Sequence, residues 1–241
     1  VRILPPAEFT RGTNAHPTIR TMPAKKAKPS FDHSPFVLAP QQARSRAALG
    51  KIVAAAATVI GEKGPDGFSM ADVATASGVP VASIYRRFRG KEDLILAIKL
   101  DATSRIEDAV TEELSGRTFS DIRNLVSTYA LTTARAFARD EALHHLLFNL
   151  PAQSSWLDQA GIEGKLRIFA QYRSALLPLL LGATPRRREL LVQVSFQIVA
   201  SGLISKASGA ADGSIALSWS DVASEFSQAA ASYLESDLQG R

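Results

Sequence analysis

The sequence predicts an all-α protein with a small N-terminal helix-turn-helix domain and a larger helical domain behind it. From Gln41 onward, apolar residues recur at spacings of three and four, and no segment sustains the two-residue alternation of a half-buried strand. Between Ser69 and Gly90 the pattern breaks into two short helices around Gly78. The second of these carries Arg86, Arg87, Arg89 and the following Lys91 with no acid between Val79 and Lys91, a charge pattern that suits a polyanion.

Taken in order, residues 1–40 hold seven of the twelve prolines and a small basic cluster at Lys25, Lys26 and Lys28, and read as a flexible basic, proline-rich arm. The chain opens on Val1, and Met22 could serve as an alternative start. Leu49, Ile52, Val53, Ala56 and Ile60 then form the apolar stripe of a first helix, which the Gly64-Pro65-Asp66-Gly67 run should end. A second helix is expected from Met70 to Ser77, with Ser69 as N-cap and Asp72 at the capping-box position. Gly78 supplies the turn, and a third helix is expected from Pro80 to Arg87, since proline is tolerated in a first turn. After Gly90 a long helix carries Leu94, Ile98, Ala102, Ile106 and Val110 up to a break at Gly116. Ile122, Leu125, Val126, Tyr129, Ala136 and Phe137 make one further stripe, and Leu166, Phe169, Ala170, Leu176, Leu177 and Leu180 another, which Pro178 should kink or end. Two last helices are expected at Arg186–Ser208 and Trp219–Leu238. The domain reading is 1–40 arm, 41–95 helix-turn-helix domain and 96–241 helical domain.

With 241 residues, 46% hydrophobic content and a mean hydropathy near zero, the chain can bury a sizeable core. It has no cysteine, which excludes disulfides and thiolate metal or redox sites and fits a reducing, cytoplasmic setting. No uninterrupted apolar run approaches the ~20 residues of a membrane span, and residues 1–40 contain no signal-like apolar region, so no membrane partner is expected. Charge is divided unevenly. Residues 1–100 carry 15 Lys and Arg against 7 Asp and Glu, whereas residues 101–241 carry 13 against 16, so a polyanion should meet the front of the chain.

Two helices joined by a glycine turn place the second in a DNA major groove. At ~100° per residue, Ile84 and Phe88 share the face that anchors this helix, while Ala82, Ser83, Arg86 and Arg89 project oppositely with Arg87 on the flank. Here the sequence resembles the TetR family of transcriptional regulators, whose signature joins a glycine turn, an aliphatic-Tyr-x-x-Phe helix and a following lysine. Gly78-Val79, Ile84-Tyr85, Phe88, Lys91 and Leu94 match, as do Gly64, Ser69, Val73 and Ala74 upstream, over roughly residues 44–95.

The resemblance implies a phosphate hydrogen bond from the Tyr85 hydroxyl and an ionic phosphate contact from Lys91. A cation at a helix start opposes the dipole, so a nearby phosphate also accounts for Lys91 physically. Ser69 caps helix two and is a further candidate phosphate contact, as are Arg44 and Arg46 at the start of helix one. Arg86, Arg87, Ser83 and Val81 are the candidates for reading bases, because arginine grips guanine edges bidentately and Val81 suits a thymine methyl. Pro80, Ala82 and Ala71 depart from the commonest pattern of the family, so the operator sequence does not follow from the resemblance.

For the remaining two thirds the resemblance implies a helical ligand-binding and dimerisation domain, a small-molecule effector, and a homodimer on a pseudo-palindromic double-stranded DNA operator. The last two helices would form an intersubunit four-helix bundle, with Val194, Ile198, Gly202, Val222, Phe226 and Tyr233 as candidate interface residues. Phe137, Phe148, Trp156, Phe169 and Tyr172 could line an apolar cavity, with His144 or Arg173, or the neighbouring His145, as a polar anchor. Glu141 and His144 have the spacing of half a di-metal motif, but no second Glu-x-x-His occurs, so neither a metal nor another cofactor is expected. No nucleophile elbow, phosphate loop or triad is readable, and no catalytic residue is assigned. The reading is a ligand-responsive regulator, most naturally a repressor. The alternatives are a constitutive DNA-binding protein without a ligand, or an enzyme built on the C-terminal helices.

Overall fold

A computed structural model describes residues 43–150, 155–210 and 216–239; the arm read at 1–40 and the side chains of Arg44 and Trp156 lie outside the described residues. Nine α-helices and one 3-10 turn make up the described secondary structure, with no strand among these residues. The protein is all-α.

Helix α1 (Ala43–Gly67) buries Ile52, Val53, Ala56, Val59 and Ile60. Its regular path breaks at Gly64, whose φ of 75° suits glycine, and Pro65 to Gly67 add a last separate turn. Helix α2 (Met70–Ser77) has the expected capping box. The Asp72 N–H donates to Ser69 Oγ at 3.1 Å and the Ser69 N–H to Asp72 Oδ2 at 2.8 Å. Gly78, at φ 67°, ends it in the left-handed region. Helix α3 (Val81–Tyr85) is shorter than the expected Pro80–Arg87. Pro80 serves as its N-cap, and its end tightens because the Arg87 N–H donates to Ile84 O, three residues back, at 2.8 Å. Five residues cannot hold a helix alone; complete burial of Ile84 and Phe88, at about 1.5–3 kcal/mol each, holds it against its neighbours.

Helix α4 (Lys91–Leu114) starts at the extended Gly90. Asp93, one of its first residues, is buried and accepts the Arg89 N–H at 2.9 Å and Nε at 3.1 Å. Helix α5 (Ile122–Arg139) is capped by Asp121, whose Oδ1 accepts the Asn124 N–H at 2.7 Å. Helix α6 (Glu141–Phe148) is a separate short helix that the sequence pattern did not announce, because only Asp140 divides it from α5. Helix α7 (Ser155–Leu176) stops before Pro178 in a 3-10 turn, Leu177–Leu179. Thr184 caps α8 (Pro185–Ala207), and Ser218 and Asp221 form a second capping box at the start of α9 (Trp219–Gln239).

Two hydrophobic cores result. The first joins α1, α2, Ile84 and Phe88, and the front of α4, from Leu94 to Ala102; Leu143 and Leu147 of α6 complete it. The second runs from Ile106 on α4 through α5, α7, α8 and α9. Helix α4 therefore belongs to both. By length and hydropathy α8 is the one helix among the described residues that would suffice to cross a membrane, but its apolar residues Leu191, Val192, Phe196, Val199 and Leu203 are at most 2% exposed within the second core.

Candidate nucleic-acid interface and effector cavity

The second face of α3 is open to solvent. Val81 and Tyr85 are 41% and 54% exposed there. Ala82 and Arg86 are exposed beside them, and Ser83 and Arg87 are half-buried. Arg86 Nη2 donates to Ser83 Oγ at 2.8 Å, so two of the candidate base-reading residues already touch. The structure thus brings Val81, Ser83 and Tyr85 onto one short helix, with Arg86 and Arg87 in the turn that directly follows it, while Ile84 and Phe88 are buried on the opposite side.

Lys91 stands apart from that row. Its Nζ donates to the carbonyl of Asp66 at 3.1 Å and lies 4.8 Å from the centre of the Phe68 ring. The ammonium thereby satisfies a carbonyl in the last turn of α1, which offsets its unfavourable place at the start of α4. Ser69 is exposed, but its hydroxyl already donates to Asp72 Oδ2 at 2.7 Å while accepting the Asp72 N–H. Lys63 completes this cluster at 2.6 Å from Asp72 Oδ1. The bonds from Lys63 and then Ser69 pull the Asp72 carboxyl down to about 2. The acid on this side of the helix pair is thus held ionised and neutralised by a cation.

A cavity of about 390 Å³ lies between α4, α5, α6, α7 and α8. Lys99, Ala102, Thr103 and Ile106 contribute one face of α4, at spacings of three and four. Tyr129, Thr133 and Phe137 contribute the facing stripe of α5; His144, Leu147 and Phe148 come from α6, with Leu150 just beyond it. Gly161, Ile162, Lys165 and Ile168 come from α7, and Phe196, Ala200, Leu203 and Ile204 from α8. Phe148 and Ile162 both line the cavity and are exposed, at 41% and 53%, so they mark where it reaches solvent. Burial pushes His144 down to about 4, with Arg105 pushing the same way and Asp140 opposing, so its imidazole is neutral near pH 7. Burial raises the Tyr129 phenol, and the hydroxyl is un-ionised.

Of the sequence-predicted ligand residues, Phe137, His144 and Phe148 line this cavity. Phe169 lies behind it, edge-on to Phe196 with ring centres 5.1 Å apart, and Tyr172 is fully buried with its hydroxyl donating to Ser195 Oγ at 3.0 Å. Arg173 pairs with Glu189 outside the cavity. Sequence reasoning missed Lys99, Thr103 and Lys165. The polar pair at 99 and 103 on an otherwise apolar face of α4 was the available signal. Among the residues read as a dimer surface, Val222 is 1% exposed within the chain, and a Cβ on Gly202 would fall 2.4 Å from the Phe226 ring, so both serve the packing of α8 on α9. Val194, Ile198, Phe226 and Tyr233 are only half-buried, and Leu190 nearby is 48% exposed. No group of three or more potential metal ligands is assembled among the described residues.

An exposed recognition-type helix in a helical head, followed by a helical body with a cavity, gives the architecture of a helix-turn-helix protein. Residues 52–98 match the family model described as bacterial regulatory proteins, tetR family. The chain has the fold and the helix-turn-helix domain of a tetR-family transcriptional regulator. Among solved structures it is similar to a Mesorhizobium loti protein assigned to the TetR family of transcriptional regulators, with TM-score 0.62 and 22% identity over 82% of this chain and 98% of that one. A tetR-family transcriptional regulator from Streptomyces coelicolor gives TM-score 0.62 and 15% identity over 81% and 84% of the two chains. The transcriptional regulator FadR from Bacillus subtilis, in complex with stearoyl-CoA, gives 0.57 and 16% over 76% and 98%. No curated protein sequence matches significantly.

Proposed function

We propose that this protein is a ligand-responsive repressor that binds a pseudo-palindromic operator as a homodimer in the cytoplasm. Residues 41–95 dock on DNA. Tyr85 and Lys91, with Arg44, hold phosphates, while Val81, Ser83, Arg86 and Arg87 meet base edges; Ser69, whose hydroxyl proton and N–H both go to Asp72, serves as the cap of α2. Residues 96–241 bind an unidentified small molecule and dimerise through α8 and α9, where the half-buried Val194, Ile198, Phe226 and Tyr233 leave apolar surface beside the exposed Leu190.

The observation that carries this reading is the double membership of Ala102 and Leu147. Both line the cavity and both are packed in the core of the DNA-binding head. A molecule that fills the cavity presses on side chains that the head needs for its own packing, and close-packed interiors transmit such displacement. The ligand then favours a dimer whose two α3 helices no longer match the half-sites, and operator affinity falls by the ligand's preference for that state.

A cavity-filling substitution tests this without knowledge of the ligand. Ala200 lines the cavity from α8, away from the head. Ala200→Phe should weaken binding to an operator selected from genomic fragments while the protein stays folded and dimeric, as judged by circular dichroism and sedimentation. Unchanged operator affinity in a folded A200F dimer would favour a constitutive DNA-binding protein instead.

A further inference from the structure

Several polar side chains buried in this protein bond within the chain. Asp93 accepts from Arg89, the Tyr172 hydroxyl donates to Ser195 Oγ and Ser195 in turn to Val192 O at 3.1 Å, and Thr133 Oγ1 donates to Tyr129 O at 2.9 Å. His144 departs from this pattern. It is 5% exposed, yet neither nitrogen of its ring has a hydrogen-bond partner among the described residues. The ring meets Phe137 edge to face with centres 4.8 Å apart, a contact that offers nothing to the imidazole lone pair. Among the described side chains the fully enclosed polar atoms without a partner are Arg188 Nε and Trp219 Nε1, and the His144 nitrogens are not with them. They border open space, and the space that His144 lines is the cavity.

The helix holds the ring there. The His144 N–H donates to Asp140 O at 3.0 Å in the first turn of α6, and Leu143 and Leu147 on either side are packed in the core of the head, so α6 cannot rotate the imidazole away. Its neighbours in the wall, Tyr129, Phe137 and Leu147, are at most 8% exposed. A charged group brought beside them would lose its water without gaining a free counter-ion, because Asp140 and Arg105, the charged residues that act on His144, are joined to each other at 3.1 Å. Burial, the largest influence on His144, keeps the imidazole itself uncharged near pH 7. An uncharged oxygen answers this site: a hydroxyl can serve either ring nitrogen, and a carbonyl can accept from the N–H.

We infer that His144 is the polar anchor of the cavity and that the effector is an uncharged, largely apolar molecule whose hydroxyl or carbonyl oxygen bonds this imidazole. The inference rests on the regulator reading for its biological meaning, while the binding chemistry rests on a buried imidazole that the chain leaves without a partner. A ligand lacking the oxygen would fill the same space and leave the nitrogen unsatisfied, so His144 selects among molecules of equal apolar size.

The test displaces N-phenyl-1-naphthylamine, an uncharged fluorescent probe, from the full-length chain at pH 8 with 1-octanol, 2-octanone, 1-chlorooctane and octanoate. Octanol should bind roughly fivefold to tenfold more tightly than chlorooctane. Octanone should match octanol where the N–H faces the cavity and fall to the level of chlorooctane where the lone pair does. Octanoate should bind more weakly than octanol, despite Lys99 and Lys165 on the wall. His144→Phe should abolish the octanol preference, and His144→Gln, which keeps a hydrogen-bonding amide, should retain part of it. On the parent protein with 15N-labelled histidine, octanol should shift a His144 ring nitrogen and chlorooctane should not, a readout that needs no variant to fold. Equal affinities for octanol and chlorooctane, tighter binding of octanoate, an octanol preference that survives in H144F, a His144 nitrogen that octanol leaves unmoved, or failure of all four compounds to bind would each overturn the inference. If the octanol preference is absent while A200F weakens operator binding, the anchor inference falls and the regulator reading stands. If the preference depends on His144 while A200F leaves operator binding intact, the opposite holds.

Discussion

Replacing Lys91 by methionine separates its contact within the chain from its proposed contact with DNA. Within the chain, the ammonium holds Asp66 O at 3.1 Å and faces Phe68 at 4.8 Å, both at a partly exposed site. Their joint loss should cost at most about 1 kcal/mol of stability, since exposed charged contacts are screened and methionine still covers the ring. On DNA, one neutralised phosphate contributes about −0.9 to the slope of log K against log salt. At 0.1 M salt that is about eightfold, or about 1.2 kcal/mol, for each protomer, and about sixtyfold for a dimer with two such contacts. The assay is fluorescence anisotropy on a random-sequence duplex at several salt concentrations, with a melting curve for each variant. K91M should flatten the slope by about 1.8 units for the dimer, and K91R should restore it. Parallel salt plots for K91M and the parent would refute the phosphate role, because any remaining affinity loss would then come from the α1–α4 contact.

Three further outcomes follow from the packing and the titrating groups. Gly202→Ala drives a methyl into the Phe226 ring; overpacking of about 1–3 kcal/mol against about 1 kcal/mol gained in helix propensity gives a net loss of up to about 2 kcal/mol in urea unfolding, and a stabilised variant would show that α8 and α9 are not in tight contact. Asp72 is held at about 2 in the native state, so the unfolded chain takes up its proton first as pH falls below about 4. D72N should be less stable than the parent at neutral pH, with the gap closing between about pH 4 and 2; a gap that persists at pH 2 would count against the capping-box assignment. His144 sits at about 4 against an ordinary value of 6.5, so from about pH 6.5 down to 4 the unfolded state binds the proton and stability falls, by at most about 3 kcal/mol. H144Q should lose that part of the acid sensitivity; identical stability drops between pH 7 and 5 in both proteins would mean that His144 protonates freely in the folded state.

What was legible in the sequence was local. The Ser69 and Asp72 capping box, the Gly78 turn and the stop before Pro178 each depend on residues within about four positions of one another, and each stands where the pattern placed it. Ile84 and Phe88 were readable as the buried side of α3 because a four-residue spacing fixes a helix face. The shorter α3 and the separate α6 were less readable, since helix ends shift with one or two backbone hydrogen bonds that many sequences can make.

The site was divided in the same way. The exposed row from Val81 to Arg87 was visible in the sequence because it is one short continuous stretch with a marked charge pattern, whereas the cavity draws on five helices from Lys99 to Ile204. A stripe tells which face of a helix turns inward, but not which stripe it meets or whether their side chains fill the space between them. Phe169 and Tyr172 met partners and became core, while Phe137 and Phe148 came to line a gap. Lys91, too, acquired its contact with Asp66 only when α4 was set beside the end of α1.

By itself, then, the sequence determined most of the helices, the Ser69–Asp72 capping box and the buried Ile84 and Phe88, because hydrogen bonds and helical periodicity act over a few residues. Only the tertiary structure decided that Ala102 and Leu147 serve the cavity and the DNA-binding head at once, and that Lys99 and Lys165 share a wall. Those relations arise from the approach of helices distant in the chain, set by features such as the missing side chains at Gly161 and Gly164.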